Sequence, residues 1–147
     1  MKKNAAKLRV KKNLDEVTIS TDRRLLDPAD AAALYIELGW GTAKRYSVER
    51  MRRSLANCDI VIFALNGAGE LVGLLRALTD HALETKILDM VIAPDYQRQG
   101  IGLKIMKKLA IEARGTSIYL ETEKKNFAFT EKCGYKKRKG LTVFKNR

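Results

Sequence analysis

Residues 87–113 constrain the fold most, because they read as strand, glycine turn and helix in direct succession. Residues 87–93 are apolar except for Asp89, which is the composition of a buried strand. Pro94 ends it, having no N–H for the ladder. A polar turn, 95–99, leads to Gly100-Ile101-Gly102 and then to good helix formers through Ala113. The first N–H groups of a helix lack intrahelical partners and carry partial positive charge, so an anion can bind there. Glycines at 100 and 102 let a phosphate approach without meeting a Cβ, and Arg98 can add a charge-assisted contact. The plainer alternative is a strand–turn–helix whose glycines only permit a tight turn.

Two familiar phosphate motifs are excluded. The Walker pattern G-x-x-x-x-G-K-[ST] is absent. A dinucleotide fingerprint needs a third glycine at 105, where Ile105 stands. What remains is Gln97-Arg98-Gln99-Gly100-Ile101-Gly102 directly after strand, Pro94, Asp95 and Tyr96. This resembles the acyl-CoA motif Q/R-x-x-G-x-G/A of the GNAT superfamily of N-acetyltransferases. The resemblance implies acetyl-CoA as co-substrate. It implies that the amides of 98–103, from Arg98 and Gln99 through Gly100, Ile101 and Gly102 to Leu103, hold the pyrophosphate. It also implies that Met90, Val91 and Ile92 offer main chain to the pantetheine arm and the thioester.

The chain has 147 residues, enough for one domain with a core. Its net charge of +12 is concentrated at the ends. Residues 1–12 and 132–147 hold basic side chains and no acid, and every Asp and Glu lies in 13–131. Basic ends suit nucleic acid, a field that steers an anionic cofactor, or a solvated surface. Residues 1–12 interleave no aromatics, so a solvated arm is favoured over nucleic acid. The expected organisation is that arm followed by a single domain over 13–147. No apolar run approaches a membrane span, and no apolar segment follows the basic N-terminus. Two cysteines and one histidine suggest neither a disulfide framework nor a metal site, and a cytoplasmic location is the default.

Along the chain, 17–20 reads as a strand and Asp27-Pro28 as a helix start. The helix 29–38 should turn Ala32, Tyr35, Ile36 and Leu38 inward. Ser47 opens a second helix, to 55. Strands follow at 60–65, 71–78 and 83–93, the first two joined by a hairpin at Asn66-Gly67. After the central helix come a strand at 117–121, a short helix at 124–132 with Gly134 as its cap, and a last strand at 141–145. The fold class is α/β, a mixed and mostly antiparallel sheet flanked by helices. This order is similar to the GNAT fold from residue 17 onward. Phe129-Thr130-Glu131-Lys132-Cys133-Gly134-Tyr135 resembles the family's ending F-Y-x-K-x-G-F. Tyr35 through Trp40, with residues 76–80, resembles small bacterial and plastid-type members.

Acetyl transfer to an amine needs a place for the amine's proton, a polarised thioester carbonyl and a protonated leaving thiolate. Asp89 is a candidate base if burial raises its pKa, and a structural partner of Arg76 otherwise. Glu121 resembles the glutamate that serves as base in some members, and is otherwise an exposed strand-end acid. Asn126 resembles the family's CoA-contacting asparagine, or else satisfies local backbone at a helix start. The family's tyrosine acid is replaced by Thr130, which leaves Tyr135, Tyr119, Tyr96 or water to protonate the thiolate. The resemblance therefore implies an N-acetyltransferase acting by direct attack of a primary amine, small molecule or peptide. The alternative is a catalytically weak CoA-binding or nucleic-acid-associated module of the same fold. Lys44, Arg45, Arg50, Arg52 and Arg53 in the presumed acceptor segment argue against polyamines and for a small or acidic amine. No metal and no membrane partner are expected, and a homodimer is compatible with the chain.

Overall fold

The computed structural model describes residues 16–146, so the basic arm expected at 1–12 lies outside them. The elements are β1 (Thr18–Ser20), α1 (Pro28–Glu37), α2 (Val48–Asn57), β2 (Ile60–Leu65) and β3 (Leu71–Thr79). There follow β4 (Glu84–Ile92), α3 (Ile101–Glu112), β5 (Ser117–Tyr119) and α4 (Phe127–Lys132). The strands lie in chain order in one sheet. β1 to β4 are antiparallel to their neighbours, and β5 is parallel to β4. A parallel neighbour requires a crossover, and α3 supplies it.

The sheet is covered on both faces, which is why β2 reads as an unbroken apolar run. Ile60, Ile62 and Ala64 face a cluster with Ile101, Ile105 and Leu109 of α3. Val61 and Phe63 face the other cluster, with Ala31, Leu34 and Tyr35 of α1 and Met51 and Leu55 of α2. Asp27 caps α1 by accepting from the Ala29 N–H at 2.8 Å, with Pro28 in the first turn. Ser47 caps α2 through the Arg50 N–H. Ile36 departs from its expected inward position and is 39% exposed. The inward stripe of α1 runs instead through Ala31, Ala32, Leu34 and Tyr35.

Three other expectations are corrected. The Asn66-Gly67 turn is not a two-residue hairpin. Asn66 Oδ1 accepts from the amides of Ala68 and Glu70, and the positive φ falls at Gly69. β5 stops at Tyr119, so Glu121 lies beyond the strand. Residues 141–146 form no strand, and Leu141, Val143 and Phe144 are exposed. Strand-favouring composition did not suffice there, because no neighbouring strand accepts the segment.

β4 carries a local irregularity that matters for the site. Arg76 is opposite Asp89, but Ala77 is opposite Ile87, so Leu88 is an extra residue. One inserted residue exchanges the faces of everything beyond it. Ile87, Met90 and Ile92 consequently all lie on the α3 side, while Val91 joins the α1/α2 cluster. Asp89 is turned to that second side as well, where it meets Tyr35 of α1.

Candidate active site

β5 pairs with β4 only over Glu84 to Lys86. From Ile87 onward the outer edge of β4 is open. Ala93 N–H donates to Val72 O at 2.9 Å, on the β3 side. By the two-residue period, Val91 also points its main chain at β3, whereas Met90 and Ile92 point theirs at the open edge. Val91 is thus corrected as a cofactor contact, since its main chain belongs to the sheet. Ile92 keeps its N–H for a ligand, while its carbonyl accepts from Gln97 Nε2 at 2.9 Å.

The end of this edge runs into the turn before α3. Gln99 Nε2 donates to Asp95 O at 2.8 Å, so the Gln99 side chain builds the turn and leaves its own N–H for a ligand. Arg98 has φ +57 and Gly100 has φ +82. Left-handed residues in alternation with ordinary ones turn successive amides toward one point. The N–H groups of 98–103 have no acceptor among the described residues. The first amide bonded in this region is that of Lys104, to Gly100 O. Ile101 buries its side chain in the α3 cluster, so only its amide faces outward, and Leu103 is half-buried on the first turn of α3. A concave row of unpaired donors at a helix start fits a pyrophosphate.

The two glycines differ in role. A Cβ at Gly100 would meet nothing within 4 Å, and its conformation is what requires glycine. A Cβ at Gly102 would lie 3.2 Å from Phe129 Cζ and 3.5 Å from Met90 Cε. Gly102 therefore lets α4 approach α3. Asn126 stands at the start of α4 with its side-chain amide unpartnered among the described residues.

The two acids are placed very differently. Asp89 is almost buried, with its side chain 7% exposed. Oδ1 accepts from the Tyr35 hydroxyl and from Arg76 Nε, and Oδ2 accepts from Arg76 Nη2. Arg76 Nη1 donates in turn to Ser54 Oγ, and the guanidinium stacks on the Tyr35 ring. Burial pushes the Tyr35 hydroxyl far above its ordinary value, and the Asp89 charge adds to this. Burial alone would lower Arg76, but its bonds to Asp89 and Tyr35 outweigh that and raise it. Asp89 is corrected as a base: both of its oxygens are committed to the ion pair, the structural alternative. Glu121, with its side chain 57% exposed, lies just past the last β4–β5 pair and is bonded to Lys86 Nζ at 2.6 Å.

Residues 29–135 match the model of the acetyltransferase (GNAT) family. The chain belongs to this family. It is 30% identical over 104 residues to the uncharacterized N-acetyltransferase ycf52 of Pyropia yezoensis, covering 67% of this chain and 58% of that one. Among solved structures, a GNAT family acetyltransferase of Streptococcus pneumoniae TIGR4 superposes with a TM-score of 0.72 at 26% identity, over 89% of this chain and 99% of that one. An aminoglycoside 6'-N-acetyltransferase complexed with coenzyme A shares the fold, with TM-score 0.66 and 21% identity over 81% and 84% of the two chains. The chain spans between 39% and 58% of the length of the curated relatives that it matches over the longest stretches.

Several tyrosines that could stand in for the family's general acid are tied up. Tyr96 is buried and its hydroxyl accepts from Asn66 Nδ2 at 3.0 Å. Burial, and then the neighbouring Cys133, raise the Tyr135 hydroxyl. Thr130 donates its hydroxyl to Asn126 O at 3.0 Å. Tyr119, at the end of β5, stays 39% exposed.

On the opposite face of the sheet from α3, this GNAT chain carries a cavity of about 330 Å³. Arg45, Arg50, Arg53, Ser54, Asn57 and Arg76 line it, with Tyr46 and Met51. The Tyr46 ring, which lines it, stacks on Tyr35, and the Trp40 ring meets Tyr35 edge-on. The bonds of Tyr35 and Ser54 to the Arg76–Asp89 pair, and the gathering of Arg76 with Arg45, Arg50 and Arg53 in one cavity, are not visible in the sequence. The visible signal was a pair of opposite charges, Arg76 and Asp89, in two adjacent apolar strands.

Proposed function

We propose that this chain transfers an acetyl group from acetyl-CoA to a primary amine. The observation that carries the proposal is the row of unpaired amides at 98–103, continuous with the open edge of β4. The pyrophosphate sits against those amides, with Arg98 beside it. The pantetheine arm pairs with the edge at Ile92 and Met90. The Met90 N–H faces the thioester oxygen and stabilises the negative charge that develops there.

The amine nitrogen attacks the thioester carbon, a C–N bond forms, the C–S bond breaks, and CoA leaves as a thiolate. The amine's proton passes to Glu121, directly or through water, because Glu121 is exposed just past the last β4–β5 pair, where the β4 edge opens. Water or the exposed Tyr119 hydroxyl protonates the thiolate, since Thr130 and Tyr96 are engaged and burial raises Tyr135. The rate gain rests mostly on positioning.

The direct experiment is thiol release from acetyl-CoA with a panel of primary amines, checked by mass spectrometry of the product. Acetylation of any member supports the proposal. Acetyl-CoA binding with no acetylated amine or peptide would favour the non-catalytic reading of the same fold.

A further inference from the structure

We propose that the cavity between α2 and β3 binds an anionic group, phosphate or carboxylate, carried by the acceptor amine; this rests on the acetyltransferase reading. Burial of Met51 and Leu55 fixes the phase of α2. Arg50, Arg53, Ser54 and Asn57 then fall at spacings of three and four along one face. That face lines the cavity, and Arg45 closes it from the preceding loop.

The charges in the cavity are not equivalent. Arg76 is neutralised by Asp89. The ion pair of Glu49 is with Arg52, which does not line the cavity. Arg50 and Arg53 have no acidic partner among the described residues. Arg45 lies against the Tyr46 ring rather than against a carboxylate. Positive charges gathered in a concavity repel one another unless an anion is shared between them. Guanidinium groups suit phosphate and carboxylate because each presents two parallel donors.

The anion belongs to the acceptor and not to CoA. The amide row opens where α3 leaves the sheet, and α3 packs on the Ile62 and Ala64 face. The cavity lies on the Phe63 and Leu74 face, under α2. Arg76, which lines it, is paired with Asp89, next to Met90. An acceptor held by its anion in this cavity therefore approaches the β4 edge from the side opposite the cofactor.

The test compares three short amines on the full chain: O-phosphoethanolamine, β-alanine and ethanolamine. Binding is followed by calorimetry on the wild type, Arg50→Ala and Arg53→Ala. Both arginines are exposed and the replacement is a good helix former, so the variants should fold. We expect at least one anionic amine to bind, ethanolamine not to, and each variant to weaken the anionic ligand by about tenfold or more. The tighter of the two anionic amines identifies the anion. Equal binding of all three, no binding of any, or no effect of either variant would overturn the inference. Binding of a short RNA, weakened in both variants, with no small-amine binding would overturn it in favour of nucleic acid. An acetyl-CoA titration of the same variants keeps the two claims apart. Failure there contradicts the acetyltransferase reading, while the amine results still decide what the cavity binds.

Discussion

Arg76 and Asp89 face each other across β3 and β4 at the residue where Leu88 is inserted. Their ion pair ties down the strand just where its phase changes, and Tyr35 and Ser54 complete its hydrogen bonds. Removing one partner strands the other charge in a site with little water. Asp89→Ala should cost about 3–5 kcal/mol of unfolding free energy, and Tyr35→Phe about 1 kcal/mol. Urea unfolding of both variants checks this. A cost for Asp89→Ala no larger than that of Tyr35→Phe would mean that water screens the pair.

The Tyr35 hydroxyl also makes stability depend on alkaline pH. Its folded pKa lies well above the ordinary 10.0, through burial first and the Asp89 charge second. Above pH 10 the unfolded chain therefore loses this proton while the folded chain keeps it. The unfolded state binds fewer protons, so stability contributed by the group falls as pH rises. Tyr35→Phe should flatten that decline relative to the wild type above pH 10, and leave the two curves parallel between pH 7 and 9. Parallel curves throughout would contradict it.

Gly102 sits under Phe129, so Gly102→Ala forces a methyl group against the ring at 3.2 Å. Alanine gains roughly 1 kcal/mol over glycine in a helix, so we expect a net loss of about 1 kcal/mol from the clash, with weaker acetyl-CoA binding as α4 is pushed off α3. Phe129→Leu added to Gly102→Ala should recover part of both. Thermal unfolding and calorimetry read the two effects, and no recovery in the double variant would sink this packing account.

Much of this was legible in the sequence, and the reasons are local. The strand, Pro94, and Gly100-Ile101-Gly102 signal their conformations within a few residues. The Asp27-Pro28 helix start is equally local. The inserted Leu88 was not legible, because a bulge is defined by the partner strand's register. Without it, alternation puts Asp89 on the same face as Ile87. Val91 was misassigned for the same reason: which edge a residue's main chain faces depends on pairing. The 141–145 segment has the β-branched and aromatic residues of a strand, yet strand formation also needs a neighbour. The basic segment with Arg45, Arg50 and Arg53 is legible in the sequence, but tertiary structure is what brings Arg76 of β3 into the same cavity.

Glu121 lies just past the last β4–β5 pair, and Lys86 holds it at 2.6 Å. Glu121→Gln should lower kcat by about a hundredfold with little change in acetyl-CoA affinity. A variant with unchanged kcat would assign the proton to water or to another group.

The central claim is that the amides at 98–103 hold the pyrophosphate of acetyl-CoA. The most direct measurement is a calorimetric titration of acetyl-CoA into the wild type and into Arg98→Asp. Arg98 is exposed at φ +57, a conformation that aspartate tolerates, so the replacement reverses charge without upsetting the turn. The account predicts saturable binding by the wild type, weakened by about tenfold or more in the variant through repulsion of the pyrophosphate. Equal affinity in the two proteins, or no binding by the wild type, would contradict it.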